Sequence, residues 1–186
     1  MAKPNGAVIY RGPSLLDGKP IVAIVTGLAS NSANQKTGNM LQTWILRADV
    51  APLDAIRTGA DSSICGDCKH RPANLGTCYV WVFQAPRSVF AAFKRGIYPV
   101  ATDLAGLGRG RAVRLGAYGD PAAVPAHIWT SLVSEASSHT GYTHQWLRDD
   151  AGAYAPLVMA SADNATEREM AQSLGFRTFT VHRSSR

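Results

Sequence analysis

Beyond residue 60, short apolar runs alternate with helical patterns, and this alternation limits the fold more than any other feature of the sequence. Runs rich in β-branched and aromatic residues predict strands at residues 79–83, 112–115, 140–144, 157–160 and 177–181. Predicted helices open between them at Pro86, at Pro125 and at Thr166, where Glu169 completes a capping box. Such alternation implies βαβ crossovers and therefore a largely parallel sheet.

The first 60 residues instead predict β structure, with strands at residues 8–10, 21–26 and 44–46. The last two flank a polar loop, which is the pattern of a β-hairpin, and a short helix is predicted from Pro52 to Gly59. Because 186 residues suit one domain, we expect a single α/β domain over residues 1–186. Its β-rich part is residues 1–60 and its alternating part is residues 61–186. The predicted architecture is a largely parallel, partial-barrel-like sheet with an N-terminal β-hairpin extension.

Composition and charge indicate the cellular compartment of the protein and the kind of ligand that it binds. The longest apolar runs are far shorter than a membrane helix needs, and the N-terminal residues lack the apolar stretch of a secretory signal. We therefore expect a cytoplasmic protein without membrane contact. Three cysteines, an odd number, argue against a disulfide framework. A net charge of +6 favours an anionic ligand such as nucleic acid or a nucleotide, although a solvated basic surface would explain the charge too.

Polar side chains follow three consecutive predicted strands. Tyr118 and Asp120 come after the first strand, His144 ends the second, and Ser161 and Asp163 follow the third. Because the carboxyl ends of parallel strands meet at one edge of a sheet, these residues are expected to line one site. Asp120, His144 and Asp163 are candidate catalytic residues, and Tyr118 and Ser161 are candidate cofactor-binding residues. A turn at Asp120, a loop at Asp163 and a half-buried histidine are the structural alternatives.

The strongest chemical signal is a group of three cysteines. Cys65 and Cys68 form a Cys-x2-Cys pair, and nine residues separate Cys68 from Cys78. Thiolate ligands suit zinc and iron–sulfur clusters. With His70 as a fourth ligand the site would be a closed tetrahedral zinc site; with cysteines alone, a four-iron cluster would keep one iron open. Free buried thiols or a redox Cys-x2-Cys pair are the alternatives.

Several motifs together resemble a group of uncharacterised phage- and plasmid-borne proteins that share a three-cysteine motif. The resembling segments are residues 34–38, 64–68, 77–80, 114–121, 141–144 and 175–179. The resemblance spans nearly the whole chain and implies kinship with that group rather than a particular activity.

A more distant similarity is to radical S-adenosylmethionine enzymes, which carry three cluster-binding cysteines in a loop of a partial parallel barrel. The similarity implies that Cys65, Cys68 and Cys78 bind a four-iron cluster, with S-adenosylmethionine as a further cofactor. The usual spacing in that family is three residues and then two, whereas this chain has two and then nine.

Two functions follow as competing hypotheses. The first is a small iron–sulfur, radical-SAM-like enzyme that acts on a nucleotide, a nucleic acid or a small metabolite. The alternative is a zinc-stabilised module that binds nucleic acid or another protein without catalysis. In that module, aromatic stacking would come from Trp44 or Trp81. Its phosphate contacts would come from Lys36, Lys69, Arg71, Arg109 and Arg111.

Overall fold

The computed structural model describes residues 4–29 and 38–180, which form one seven-stranded sheet with six α-helices. The strands are β1 (Gly6–Pro13), β2 (Pro20–Thr26), β3 (Leu41–Arg47), β4 (Ala112–Tyr118), β5 (Ser138–Thr143), β6 (Met159–Ala162) and β7 (Thr178–Thr180). The helices are α1 (Pro52–Thr58), α2 (Ser62–Cys65), α3 (Ala85–Lys94), α4 (Leu104–Gly108), α5 (Ala126–Val133) and α6 (Ala165–Ser173). Short 3-10 turns lie at Pro121–Ala123 and Ala151–Tyr154.

The strands lie in the sheet in the same order as in the chain. Strands β1 to β3 pair antiparallel, and β3 to β7 pair parallel. Each crossover therefore adds a strand on the same side of the previous one, as in the wall of a barrel, but the sheet stays open. The predicted α/β class, the largely parallel sheet and the N-terminal antiparallel hairpin are confirmed. The loop of that hairpin falls mostly on residues 30–37, outside the described part of the chain.

One face of the parallel strands carries the core. Alternate residues of β4 and β6 are buried, among them Val113, Leu115 and Ala160. They belong to the same apolar cluster as Trp129 and Leu132 of α5, whose side chains are fully buried. The opposite face keeps half-exposed side chains and becomes important for the site.

The predicted strand at residues 79–83 is wrong. These residues pair with none of the seven strands and lead directly into α3. The segment still alternates: Val82 is buried, whereas Trp81 and Phe83 face solvent. An apolar alternating run therefore also fits an unpaired segment that buries one side chain, here Val82, in the core.

Two element starts also differ from the prediction. Helix α6 is capped by Asn164, whose side-chain oxygen accepts a hydrogen bond from the Glu167 backbone N–H at 2.8 Å, so the predicted cap at Thr166 lies inside the helix. Strand β6 begins at Met159 and therefore contains Ser161, which was expected to follow it. None of the helices in residues 4–29 and 38–180 is both long and apolar enough to cross a membrane.

Candidate functional site

The three cysteines lie within residues 65–78, which we call the cysteine loop and which begin where α2 ends. Cys65 is the last residue of α2, and Gly66 reverses the chain with φ of +59°, a conformation that favours glycine. A Cβ atom at Gly66 would also come within 2.5 Å of the Gln145 carboxamide, so this side chain packs directly on the turn. Farther along, the Cys78 backbone N–H donates to the His70 carbonyl at 2.9 Å, which folds the loop back on itself.

The three thiols act on one another electrostatically. Burial raises the pKa of Cys65 well above its ordinary value, and Asp61, Asp120 and the other two thiols raise it further. Burial likewise raises the pKa of Cys68 to about 11, with contributions from Asp120 and Cys78. The thiols of Cys65 and Cys68 are thus protonated at neutral pH, and a bound cation would reverse this by stabilising the thiolates.

His70 has both ring nitrogens engaged by other side chains. Nδ1 lies 2.6 Å from Thr77 Oγ1, and Nε2 lies 3.2 Å from each carboxylate oxygen of Asp163. Ligation of a metal by His70 would need one of these contacts to break. Within the described ranges, no three His, Cys, Asp or Glu side chains are already placed to hold a metal ion. Coordination by the three thiols would therefore require them to move closer together.

Tyr118 has a buried hydroxyl without a hydrogen-bond partner in the described part of the chain. Its side chain is buried at the end of β4, and its hydroxyl is the one buried side-chain polar atom of the described residues that lacks a hydrogen-bond partner. Burial raises the pKa of Tyr118, and electrostatic interaction with Cys65, Asp61 and Cys78 raises it further, so the hydroxyl lies within electrostatic range of the thiols. Buried hydroxyls without a partner are rare and costly. A ligand or cluster held by the cysteines would supply the missing acceptor.

Asp120 ties the ends of two strands to the start of the cysteine loop. Its carboxylate accepts hydrogen bonds from the Thr143 hydroxyl and the His144 backbone N–H, both at 2.7 Å, and from the Ala122 N–H at 3.0 Å. Its own N–H donates to the Ile64 carbonyl at 2.6 Å. Burial outweighs these hydrogen bonds and raises the pKa of Asp120 to about 6. This geometry suits a residue that positions its neighbours.

His144 and Asp163 meet at the edge of the sheet, together with His70. The rings of His144 and His70 are 5.3 Å apart in an edge-to-face arrangement. Burial lowers the pKa of His144, and His70 lowers it further. Burial opposes ionisation of Asp163, but hydrogen bonds from Lys69 and His70 prevail and lower its pKa. Lys69 also binds Glu167 at 3.0 Å. The site thus pairs a neutral histidine with an ionised carboxylate.

No model of a known protein family, no curated protein and no solved structure matches the chain.

Within the described residues, the face of the parallel strands opposite the core is not covered by a helix and is called the open face. Register pairs and alternation put one set of half-exposed or exposed side chains on this face: Arg114, Thr140, Tyr142, Met159, Ser161 and Phe179. The Arg114 guanidinium donates to the Tyr79 hydroxyl at 3.0 Å, so the segment after Cys78 contacts this face at Arg114. Parallel sheets are normally covered on both faces. An open face next to the thiols and His144 is therefore a natural place for a ligand.

Sequence reasoning gave no role to Gln145, Asp67 or Glu167. The Gln145 carboxamide donates to the Cys65 carbonyl at 3.2 Å and to Asp67 Oδ1 at 2.9 Å. Glu167 binds Lys69 across 98 residues of sequence. The sequence offers one signal for Glu167, its place in the first turn of a helix beside Asp163; nothing local points to the other two.

Most of the residues that were predicted to bind nucleic acid make contacts within the protein instead. Trp44 is half-buried and donates from its ring N–H to the Thr26 hydroxyl at 2.8 Å, which leaves Trp81 as the exposed candidate for stacking. Lys36 lies outside the described residues. The other four bind protein groups: Lys69 pairs with Asp163 and Glu167, Arg71 with Asp61, Arg109 with Glu135, and Arg111 with two backbone carbonyls.

Proposed function

We propose that this chain is a small enzyme that holds a four-iron cluster through Cys65, Cys68 and Cys78 and acts on an anionic substrate over the open face of the sheet. The observation that carries the proposal is the buried Tyr118 hydroxyl, which lacks a hydrogen-bond partner among the described residues and interacts electrostatically with Cys65 and Cys78. When bound, a cluster held by three thiolates supplies one iron with an open position for a substrate or for S-adenosylmethionine. The engaged ring of His70 favours this donor set over a closed zinc site with His70 as the fourth ligand.

The surrounding side chains support chemistry at that edge. A neutral His144 is able to accept a proton at a ring nitrogen, since burial and His70 both lower its pKa. Asp163 stays ionised and holds His70 and Lys69 in place. Asp120 fixes the backbone of His144 by accepting a hydrogen bond from its N–H. Arg114 offers a guanidinium to an anionic group of the substrate.

Metal analysis of protein purified without oxygen tests the proposal. We expect about four irons per chain and a broad visible absorption from thiolate-to-iron charge transfer. Cys68→Ser should abolish the iron content, whereas His70→Ala should leave it intact. Colourless protein with one zinc that is lost in His70→Ala would establish the zinc module instead, and folded protein without metal would rule out both.

Tyr118→Phe tests the role of the partnerless hydroxyl. In metal-free protein this change should raise the free energy of unfolding by about 1 kcal/mol, because it removes a buried polar atom without a partner. In iron-loaded protein it should shift the reduction potential of the cluster, because a hydrogen bond near the cysteine sulfurs is lost. The first effect is measured by urea unfolding and the second by redox titration.

Tyr154→Phe is the matched control, because the Tyr154 hydroxyl is also buried but donates to the Val124 carbonyl at 2.8 Å. That change should lower the free energy of unfolding by about 1 kcal/mol, the opposite sign. If Tyr118→Phe destabilises the metal-free protein as much as Tyr154→Phe does, the Tyr118 hydroxyl has a partner and does not support a cluster at the cysteines.

A further inference from the structure

Three large aromatic side chains stand out into solvent directly after the cysteine loop. Tyr79 is 70%, Trp81 64% and Phe83 53% exposed, while Val82 between them is buried. The rings of Trp81 and Phe83 lie edge to face with centroids 5.3 Å apart. Scattered exposed aromatics are ordinary, but three in five residues form an apolar surface of the kind that marks a binding site. We call residues 79–83 the aromatic segment.

The surface that continues from this segment is basic. Helix α3 follows at once, and the Arg87 backbone N–H donates to the Val82 carbonyl at 3.2 Å, which joins the first turn of α3 to the aromatic segment. Arg87 and Lys94 lie on α3 and Arg95 directly after it, all exposed. The sequence contains no acidic residue between Asp67 and Asp103.

These cations differ from those engaged elsewhere in the fold. Neither Arg87 nor Arg95 forms a salt bridge with any residue in the described ranges. With Lys94 and Arg57 they line a surface cleft of about 590 Å³ between α1 and α3. The one acidic side chain of the cleft, Asp54, is paired with Arg57 at 3.4 Å. The cleft therefore carries a net positive charge, and within residues 4–29 and 38–180 Arg57 is the one cation of the cleft that forms a salt bridge.

We propose that the aromatic segment and the basic face of α3 bind single-stranded nucleic acid. Bases would stack on Trp81 and Phe83, and phosphates would pass along Arg87, Lys94 and Arg95. Stacking on aromatic side chains beside a cationic groove is the general mode of single-strand binding, and it requires unpaired bases. Helix α3 has ten residues and is about 15 Å long, enough to follow more than one phosphate.

This surface leads to the candidate site. Tyr79 of the aromatic segment is adjacent to Cys78 and accepts a hydrogen bond from Arg114 at the edge of the open face. The inference concerns binding and does not depend on the cluster; joined to the proposed function, it names single-stranded nucleic acid as the substrate class. Iron content and nucleic-acid binding are measured separately, so failure of one leaves the other standing.

Fluorescence anisotropy with labelled oligothymidylate, labelled oligouridylate and a DNA duplex tests the proposal. We expect the single strands to bind at low salt more tightly than the duplex, and the affinity to fall steeply as salt rises. Trp81→Ala should weaken single-strand binding about tenfold or more. Arg87→Glu should weaken it and reduce the slope of log affinity against log salt by about 1 or more.

Matched controls separate this surface from the rest of the molecule. Leu147→Ala removes an equally exposed apolar side chain on another loop, and Arg177→Glu makes the same charge change at an exposed position outside the cleft. Both should bind like the unchanged protein. The proposal is overturned by absent single-strand binding at low salt, by equal binding of duplex, or by wild-type affinity in both Trp81→Ala and Arg87→Glu. Self-association that Trp81→Ala abolishes, without oligonucleotide binding, would assign the surface to a second copy of the chain.

Discussion

Replacing Arg71 by alanine should lower the free energy of unfolding by about 3–5 kcal/mol, because it leaves a buried carboxylate without its partner. The Arg71 side chain is 11% exposed and that of Asp61 3%. The guanidinium binds both carboxylate oxygens, at 2.6 and 3.0 Å, and also donates to the carbonyls of Gly59 and Gly66 at 3.0 Å. Arg71 thus joins the cysteine loop to the turn that precedes α2, and its loss should also lower the metal content.

Urea unfolding of metal-free protein measures this effect, and Arg57→Ala is the control. Arg57 pairs with Asp54 at 3.4 Å, but both side chains are largely exposed, at 75% and 59%. Removing an exposed pair of this kind should cost about 0.5 kcal/mol or less. Arg71→Lys should remain destabilising, because an ammonium group cannot make the paired contacts of a guanidinium. Equal costs for Arg71→Ala and Arg57→Ala would show that the cysteine loop is not anchored through Asp61.

The parallel sheet was predictable because its signals are local. Apolar runs at residues 112–115 and 140–144, separated by a helix that opens at Pro125, already imply a crossover to a neighbouring parallel strand. The structure confirms both strands and a helix, α5, that is capped by Pro125. The same reasoning was wrong for residues 79–83, because pairing depends on where the whole fold places a segment relative to the sheet, and no local pattern specifies that.

The edge of the sheet that carries the site was also predictable, whereas the contacts within it were not. Parallel strands bring Asp120, His144 and Asp163 to one edge whatever the details of their packing. The contact between Gln145 and Cys65 spans 80 residues, and that between His70 and Asp163 spans 93. No local pattern specifies such pairs. Sequence reasoning therefore treated His70 as a free ligand and Arg71 as a phosphate contact, although their side chains bind Asp163 and Asp61.

Replacing Asp120 by alanine is expected to destabilise the protein by about 3 kcal/mol at pH 5, because three hydrogen-bond donors lose their buried acceptor. These donors are the Thr143 hydroxyl and the backbone N–H groups of Ala122 and His144. The carbonyl of Ile64 keeps its contact, since it binds the backbone of residue 120. The change should loosen the ends of β4 and β5 together.

The cost of Asp120→Ala should depend on pH in a defined direction. Burial raises the pKa of Asp120 to about 6 in the folded protein, whereas the pKa of an aspartate in the unfolded chain is about 3.9. Between these values the folded protein retains a proton that the unfolded chain has lost. The stabilisation from Asp120 is therefore complete below about pH 4 and declines as pH rises through about 6. The difference in unfolding free energy between the unchanged protein and Asp120→Ala should be about 1–2 kcal/mol smaller at pH 7 than at pH 5.

Urea unfolding of metal-free protein at the two pH values checks this trend, because the thiols of Cys65 and Cys68 stay protonated throughout, their pKa values being raised. Asp150→Ala is the control. Asp150 pairs with Arg148 at the surface, and that hydrogen bond lowers its pKa despite some opposing burial, so it titrates below this range. Its replacement should cost less than about 1 kcal/mol, equally at pH 5 and pH 7. If the cost of Asp120→Ala is also the same at both pH values, Asp120 is ionised throughout, and its hydrogen bonds outweigh the effect of burial.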